Sequence, residues 1–157
     1  MNTKELENYL KTLQPDLYSF SYILIPDDLQ ASQLIVDAIA NVLIDRRELI
    51  DRILKNEKVE TEKTELNHYL YRAIYLLARK RFHQIKSSMN LNNLEAFYHL
   101  ELDERALLFL KHKMKWSKDQ MNFVTTLSSE EIVSILTKSR MNLSRELKDE
   151  FELGGLF

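Results

Sequence analysis

Cysteine is absent from this chain of 157 residues, so neither a disulfide framework nor a thiolate metal site can form. That absence fits a reducing cytoplasm, which is the expected location. Only two glycines occur, Gly154 and Gly155, and they leave no glycine-rich loop to cradle a nucleotide phosphate. P-loop and Rossmann enzymes are therefore not expected. No run of about 18 apolar residues is present, so no membrane partner is expected. The opening Met1-Asn-Thr-Lys-Glu-Leu-Glu lacks the basic-then-apolar order of a signal peptide. Prolines are equally scarce, at Pro15 and Pro26 alone.

Leu, Glu, Lys, Ile and Ala are abundant in place of the missing breakers, and they make long helices the favoured backbone. The expected fold is all-α, with 45% apolar residues enough for a core. The spacing places helices at 3–13, 16–25, 28–54, 65–86, 92–99, 103–113, 117–125 and 129–151. Pro15 and Pro26 sit just before two of these starts, where a missing N–H costs little. Leu66, Leu70, Ala73 and Leu77 mark one apolar helix face. Residues 87–93, Ser-Ser-Met-Asn-Leu-Asn-Asn, form the best linker, which divides the chain into helical bundles at 1–87 and 94–157.

The last third carries the most informative layout. A helix around residues 103–113 leads to a short helix, a tight turn at residues 125–129 and a long helix. Asp103, Ser117 and Ser128 or Ser129 are candidate caps, able to accept hydrogen bonds from the free N–H groups of a first turn. Such an order matches a helix-turn-helix. A positive φ at Thr126, where such turns often carry Gly, would be strained.

Charge is uneven although the net is −2. Residues 1–60 hold 7 basic and 11 acidic side chains, 61–90 hold 6 and 2, and 91–157 hold 9 and 11. Arg72, Arg79, His83 and Lys86 fall along one stripe of the 65–86 helix, with Lys80 and Arg81 nearer its apolar side. Phosphates favour such a stripe because Lys and Arg displace condensed counterions, and Tyr69, Tyr71, Tyr75 and Phe82 offer faces for unpaired bases. The bland reading is a solvated basic face beside partly buried aromatics. Glu130 and Glu131 suit the positive end of the last helix and oppose a phosphate backbone there. Lys138, Arg140 and Arg145 lie further along, and Lys111, Lys113, Lys115 and Lys118 form a basic run. His68, His83, His99 and His112 are scattered, and Glu65-Leu-Asn-His68 is the one Glu-x-x-His element, so no metal site, cofactor or catalytic residue is expected.

Leu100, Glu104, Arg105, Leu110, Ser117, Met121, Val124, Leu127, Ile132, Ile135 and Leu136 resemble the −35-binding region of bacterial sigma factors, especially the small extracytoplasmic-function type. Residues 17–24, 26–28, 31–39 and 69–74 resemble, in the right order, the block of that family that binds core polymerase and the −10 element. The family has Ala-Glu-Asp followed by Gln-Glu on its polymerase-binding helix, where this chain has Ser32, Gln33, Val36 and Asp37. The resemblance implies core RNA polymerase and promoter DNA as partners, together with an anti-sigma-like or other regulatory protein. It implies polymerase contacts at Gln33, Val36, Asp37 and Arg47, with Ile44 on the same face. It implies DNA contacts at Tyr69, Arg72, Tyr75, Arg79, Lys80, Lys86, Lys138, Arg140 and Arg145. Two readings stay open: a sigma-like transcription factor, and a sigma-derived interaction module that has lost promoter recognition.

Overall fold

The structure, a computed structural model, describes residues 1–55, 59–85 and 96–146. Among them the chain is all-α, as expected: α1 (Thr3–Leu24), α2 (Asp28–Asp45), α3 (Arg47–Lys55), α4 (Glu60–Ile85), a 3₁₀ turn (Ala96–His99), α5 (Leu102–His112), α6 (Lys118–Thr125) and α7 (Ser129–Glu146), with no strand. Two compact units emerge, Met1–Ala78 and Arg79–Phe157. The expected linker at 87–93, the start of the expected 92–99 helix and the end of the 129–151 helix lie outside the described residues.

In the first unit α1 opens on a capping box: Asn2 Oδ1 accepts from the Glu5 N–H at 2.9 Å, and the Glu5 carboxylate accepts from the Asn2 N–H at 2.7 Å. The expected break at Pro15 does not occur, and one helix replaces the two expected at 3–13 and 16–25. Pro15 is exposed, while Leu6, Leu17, Phe20 and Leu24 continue one buried face past it. Burial of those side chains, each contributing about 1.5–3 kcal/mol, outweighs the roughly 3 kcal/mol penalty of an internal proline. α2 starts at an Asp27 cap, whose side chain accepts from the Gln30 N–H at 2.9 Å.

The expected 28–54 helix is instead two. At Arg46 the backbone leaves helical geometry, with φ −116° and ψ 41°, and the guanidinium lies 4.4 Å from the centre of the Tyr69 ring. α3 then buries Leu49, Ile50 and Ile53. α4 begins five residues earlier than expected. Its core stripe is broader than Leu66, Leu70, Ala73 and Leu77: Leu66, Leu70, Tyr71, Ile74, Tyr75, Ala78 and Phe82 are buried, while Ala73 and Leu77 are only half-buried. Tyr71 packs its ring on Phe20 with centroids 5.0 Å apart, and burial raises its phenol pKa.

The second unit is organised by α5, buried along almost its whole length and packed on α6 and α7. Its Arg105 is 1% exposed. The guanidinium donates to the Leu100 carbonyl and, at 3.4 Å, to that of Tyr98, and it stands 5.4 Å from the Phe82 ring centre. Burial lowers its pKa to about 10, which keeps it charged at neutral pH. Asp103 is not the cap of α5; Glu101 holds that position without a side-chain bond, and Asp103 lies in the first turn.

Ser117 does cap α6, in a box with Gln120. Ser128 and Glu131 form the same reciprocal pair at the start of α7, at 3.2 and 3.3 Å. Thr126 adopts φ 63°, the left-handed conformation whose cost in that turn was expected. Its neighbours hold it: the Thr126 N–H reaches the Asn122 carbonyl at 2.8 Å, the Asn122 side chain donates to the Leu127 carbonyl, and Thr125 Oγ1 accepts from the Leu127 N–H at 3.3 Å.

Candidate functional site

α2 is apolar on two opposite sides. Ala31, Leu34, Ile35, Ala38 and Val42 form its buried face. At 100° per residue, Leu29, Val36 and Leu43 fall on the other side with Gln33, Ala40 and Ile44 beside them. Leu29 is 76% exposed, Val36 59%, Leu43 37% and Ile44 75%. A surface helix with its inner face already buried normally turns polar side chains outward, so an outer apolar stripe marks a surface built to be covered.

The expected polymerase contacts fall partly on this stripe. Gln33 Nε2 donates to Asp37 Oδ1 at 2.9 Å, an i to i+4 pair that fixes both side chains at the edge of the stripe. Val36 lies at its centre. Arg47 belongs to α3, beyond the break at Arg46, and is exposed. Leu29 and Leu43, the ends of the stripe, were not anticipated, although their seven-residue spacing from Val36 is visible in the sequence.

The expected nucleic-acid face on α4 changes more. Tyr75 is fully buried, as are Tyr71 and Phe82 nearly so, and none presents a ring face for a base to stack on. The period of the helix puts each tyrosine one residue beyond a core aliphatic side chain, Leu70 and Ile74, still inside an apolar stripe more than 100° wide. Tyr69 is half-buried, and Arg46 stands over its ring. Among the expected basic contacts, Arg79 and Lys80 are exposed and Arg72 is half-buried, while Lys86 lies outside the described residues.

On α7, Lys138 stands 3.8 Å from the Glu104 carboxylate, so it has a partner within its own unit. Burial raises the Glu104 pKa, against the opposing pull of Lys138. Arg140 is exposed, and Arg145 is carried by the last turn of α7. The outward side of α7 carries Glu130, Val133, Ser134, Thr137, Met141 and Ser144, all exposed. Glu130 and Glu131 are exposed in the first turn, Glu131 engaged in the capping pair with Ser128.

A basic group gathers at the other end of α5. Burial and the neighbouring Arg140 lower the pKa of Lys111; burial, Lys111, Arg140 and Lys115 lower that of His112. Because the folded value of His112 is depressed, the unfolded chain binds more protons below pH 6.5, and stability is expected to fall as pH drops through that region. Glu104 works with the opposite sign, losing stability as pH rises above 4.5. Urea midpoints followed by Trp116 fluorescence at mildly acid and neutral pH should therefore differ, and His112→Gln should shrink the difference. An unchanged difference in the variant would remove His112 from the account.

Among the described residues no cluster of His, Asp or Glu is arranged to hold a metal ion, and no helix is long and apolar enough to cross a membrane. The fold is similar to that of the sigma factor RpoE from Bartonella quintana, solved in complex with the anti-sigma factor NepR. The TM-score is 0.65 at 18% sequence identity, over 95% of this chain and 100% of that one. No family model matches the chain, and no curated protein matches its sequence.

Proposed function

We propose that this chain is a sigma-like transcription protein that docks on core RNA polymerase through the outer face of α2. The exposed line of Leu29, Val36, Leu43 and Ile44, edged by the Gln33–Asp37 pair, carries the proposal. It lies on the helix that the sigma resemblance assigns to polymerase, and the likeness of fold to a sigma factor supports that assignment. In this reading α6, the turn at Thr126 and α7 act as a helix-turn-helix against promoter DNA. Arg79, Lys80, Arg140 and Arg145 supply phosphate contacts. Core RNA polymerase and promoter DNA are the partners.

The second reading, a sigma-derived interaction module that has lost promoter recognition, is favoured by one group of observations. Tyr75 is buried, Tyr69 is covered by Arg46, and α7 turns Val133, Thr137 and Met141 outward where base-reading side chains would be needed. Its partner would be another protein of the transcription machinery, an anti-sigma-like regulator being the kind found with the structural neighbour.

Co-purification with core polymerase, run beside mobility shifts on duplex and bubble DNA at two salt concentrations, separates the two. A polymerase complex with salt-sensitive DNA binding is expected from the first reading. A polymerase complex without DNA binding at low salt supports the second. Absence of any complex at micromolar protein, together with no DNA binding, would overturn docking on polymerase.

A further inference from the structure

Lys138 and Arg140 leave α7 on opposite flanks. At 3.6 residues per turn they stand about 160° apart, one to either side of the outward surface that carries Val133, Ser134, Thr137 and Met141. A helix seated in a DNA groove has a phosphate backbone along each flank, so the two cations are placed to meet one strand each. Both are exposed, but their surroundings differ. Arg140 has cations beside it, Lys111 and His112, whereas Lys138 Nζ lies 3.8 Å from the Glu104 carboxylate.

Glu104 is a carboxylate held out of water. It is 4% exposed and lies in the first turn of α5, where the positive end of the helix favours its charge. Ser139 and Asn142 face it from α7, yet Ser139 donates its hydroxyl to the Ile135 carbonyl at 2.6 Å, and Glu104 Oε2 is buried without a hydrogen bond. Glu101 adds a like charge nearby, and Arg105 aims its guanidinium at the Tyr98 and Leu100 carbonyls. Lys138 is therefore the cation that compensates this carboxylate, and its side chain, 66% exposed, reaches in from solvent. Taking one partner from such a pair leaves the other charge buried and uncompensated. A carboxylate in that position relieves itself by binding a proton.

We propose that Lys138 is a phosphate contact held back by Glu104, and that binding of duplex DNA draws Lys138 onto the backbone while Glu104 takes up a proton from solvent. The exchange balances. The Lys138–Glu104 pair breaks, Lys138 pairs with a phosphate, and Glu104 ends as the neutral acid. This inference rests on the reading of α7 as the DNA-facing helix. Duplex binding then strengthens as pH falls, because the bound state holds one proton more than the free state. Glu104 is a positioning residue here, acting on DNA only through Lys138.

Glu104→Gln keeps the shape of the side chain and removes its charge. On mixed-sequence duplex DNA at neutral pH it should bind several-fold more tightly than the unmodified chain. Titration calorimetry in two buffers of different ionisation enthalpy counts the protons taken up on binding. That count should fall in Glu104→Gln, and equally in Lys138→Ala, which changes only an exposed side chain; a purely structural role of Glu104 would leave it unmoved. His112 is common to all variants, so its own proton uptake cancels in the comparison. In the Glu104→Gln background, Lys138→Ala should lower the salt slope of binding by roughly one unit. Should Glu104→Gln and Lys138→Ala both bind with the proton count of the unmodified chain, the proposal fails and the DNA reading stands. Should neither the unmodified chain nor Glu104→Gln bind duplex at low salt, the DNA reading fails and takes the proposal with it. Binding by Glu104→Gln where the unmodified chain shows none supports both.

Discussion

Arg105→Ala is expected to lower the stability of the second unit by about 3 kcal/mol, a large share of the 5–15 kcal/mol typical of a small domain. The guanidinium is buried, donates to the Tyr98 and Leu100 carbonyls and lies against Phe82. Truncation strands those carbonyls without a donor and leaves a space that the 3₁₀ turn and α5 must close. Hydrogen bonds from a charged donor contribute about 1.5–3 kcal/mol each, and a buried group left unpaired costs about as much again as desolvation. Burial of the charge itself works against the fold, as the lowered pKa of Arg105 records, so the net loss is smaller than the sum of its contacts. Arg105→Lys keeps the charge and gives up the fork that reaches two carbonyls, so it should lose most of the same stability. Trp116, the single tryptophan, stands in this unit and reports its urea transition directly. An unchanged midpoint in Arg105→Ala would mean that the residue is a passenger in the core.

The all-α fold and the start of α6 could be read from residue order because they depend on local rules. Scarce Gly and Pro, and Ser117 three residues before Gln120, act within a turn or two of the chain. The Ser128–Glu131 pair is of the same kind. What could not be read depends on packing. Pro15 signals a break only when the residues beyond it have nowhere to bury themselves, and Leu17, Phe20 and Leu24 do. Tyr71 and Tyr75 carry hydroxyls that fit a wet surface equally well, and the partner ring of Phe20 lies 51 positions earlier than Tyr71. Arg105 was legible as half of a Glu-Arg pair in a sigma-like motif, yet its role as a buried staple was not, because charged side chains are almost never fully buried unless paired.

The candidate site was half legible for a related reason. Gln33, Val36, Asp37 and Ile44 share a side of α2 by simple periodicity. Leu29 and Leu43 read equally well as core residues, and only the inner face of Ala31, Leu34, Ile35, Ala38 and Val42 shows that the core is already supplied. The outer leucines are informative because they are surplus.

Replacing Val36 and Ile44 together by glutamate is expected to weaken the complex with core polymerase at least about 100-fold, which corresponds to roughly 2.7 kcal/mol. Both side chains are more than half exposed in the free chain, so two carboxylates there leave folding intact. Circular dichroism melting should confirm this by an unchanged midpoint. In the complex Val36 lies at the middle of the covered apolar stripe and Ile44 at its C-terminal end, and each carboxylate there loses water without gaining a partner. Charge reversals at Asp37 and Arg47 test the edge of the surface. Their effect should be smaller, about tenfold or less, and should fade as salt is raised, because rim charges act mainly through screened long-range attraction. The ordering separates docking by the stripe from general attraction to a charged partner. If Val36→Glu with Ile44→Glu binds as the parent does while the Asp37 and Arg47 reversals abolish binding, the contact lies along the charged edge and the apolar line of α2 serves another partner.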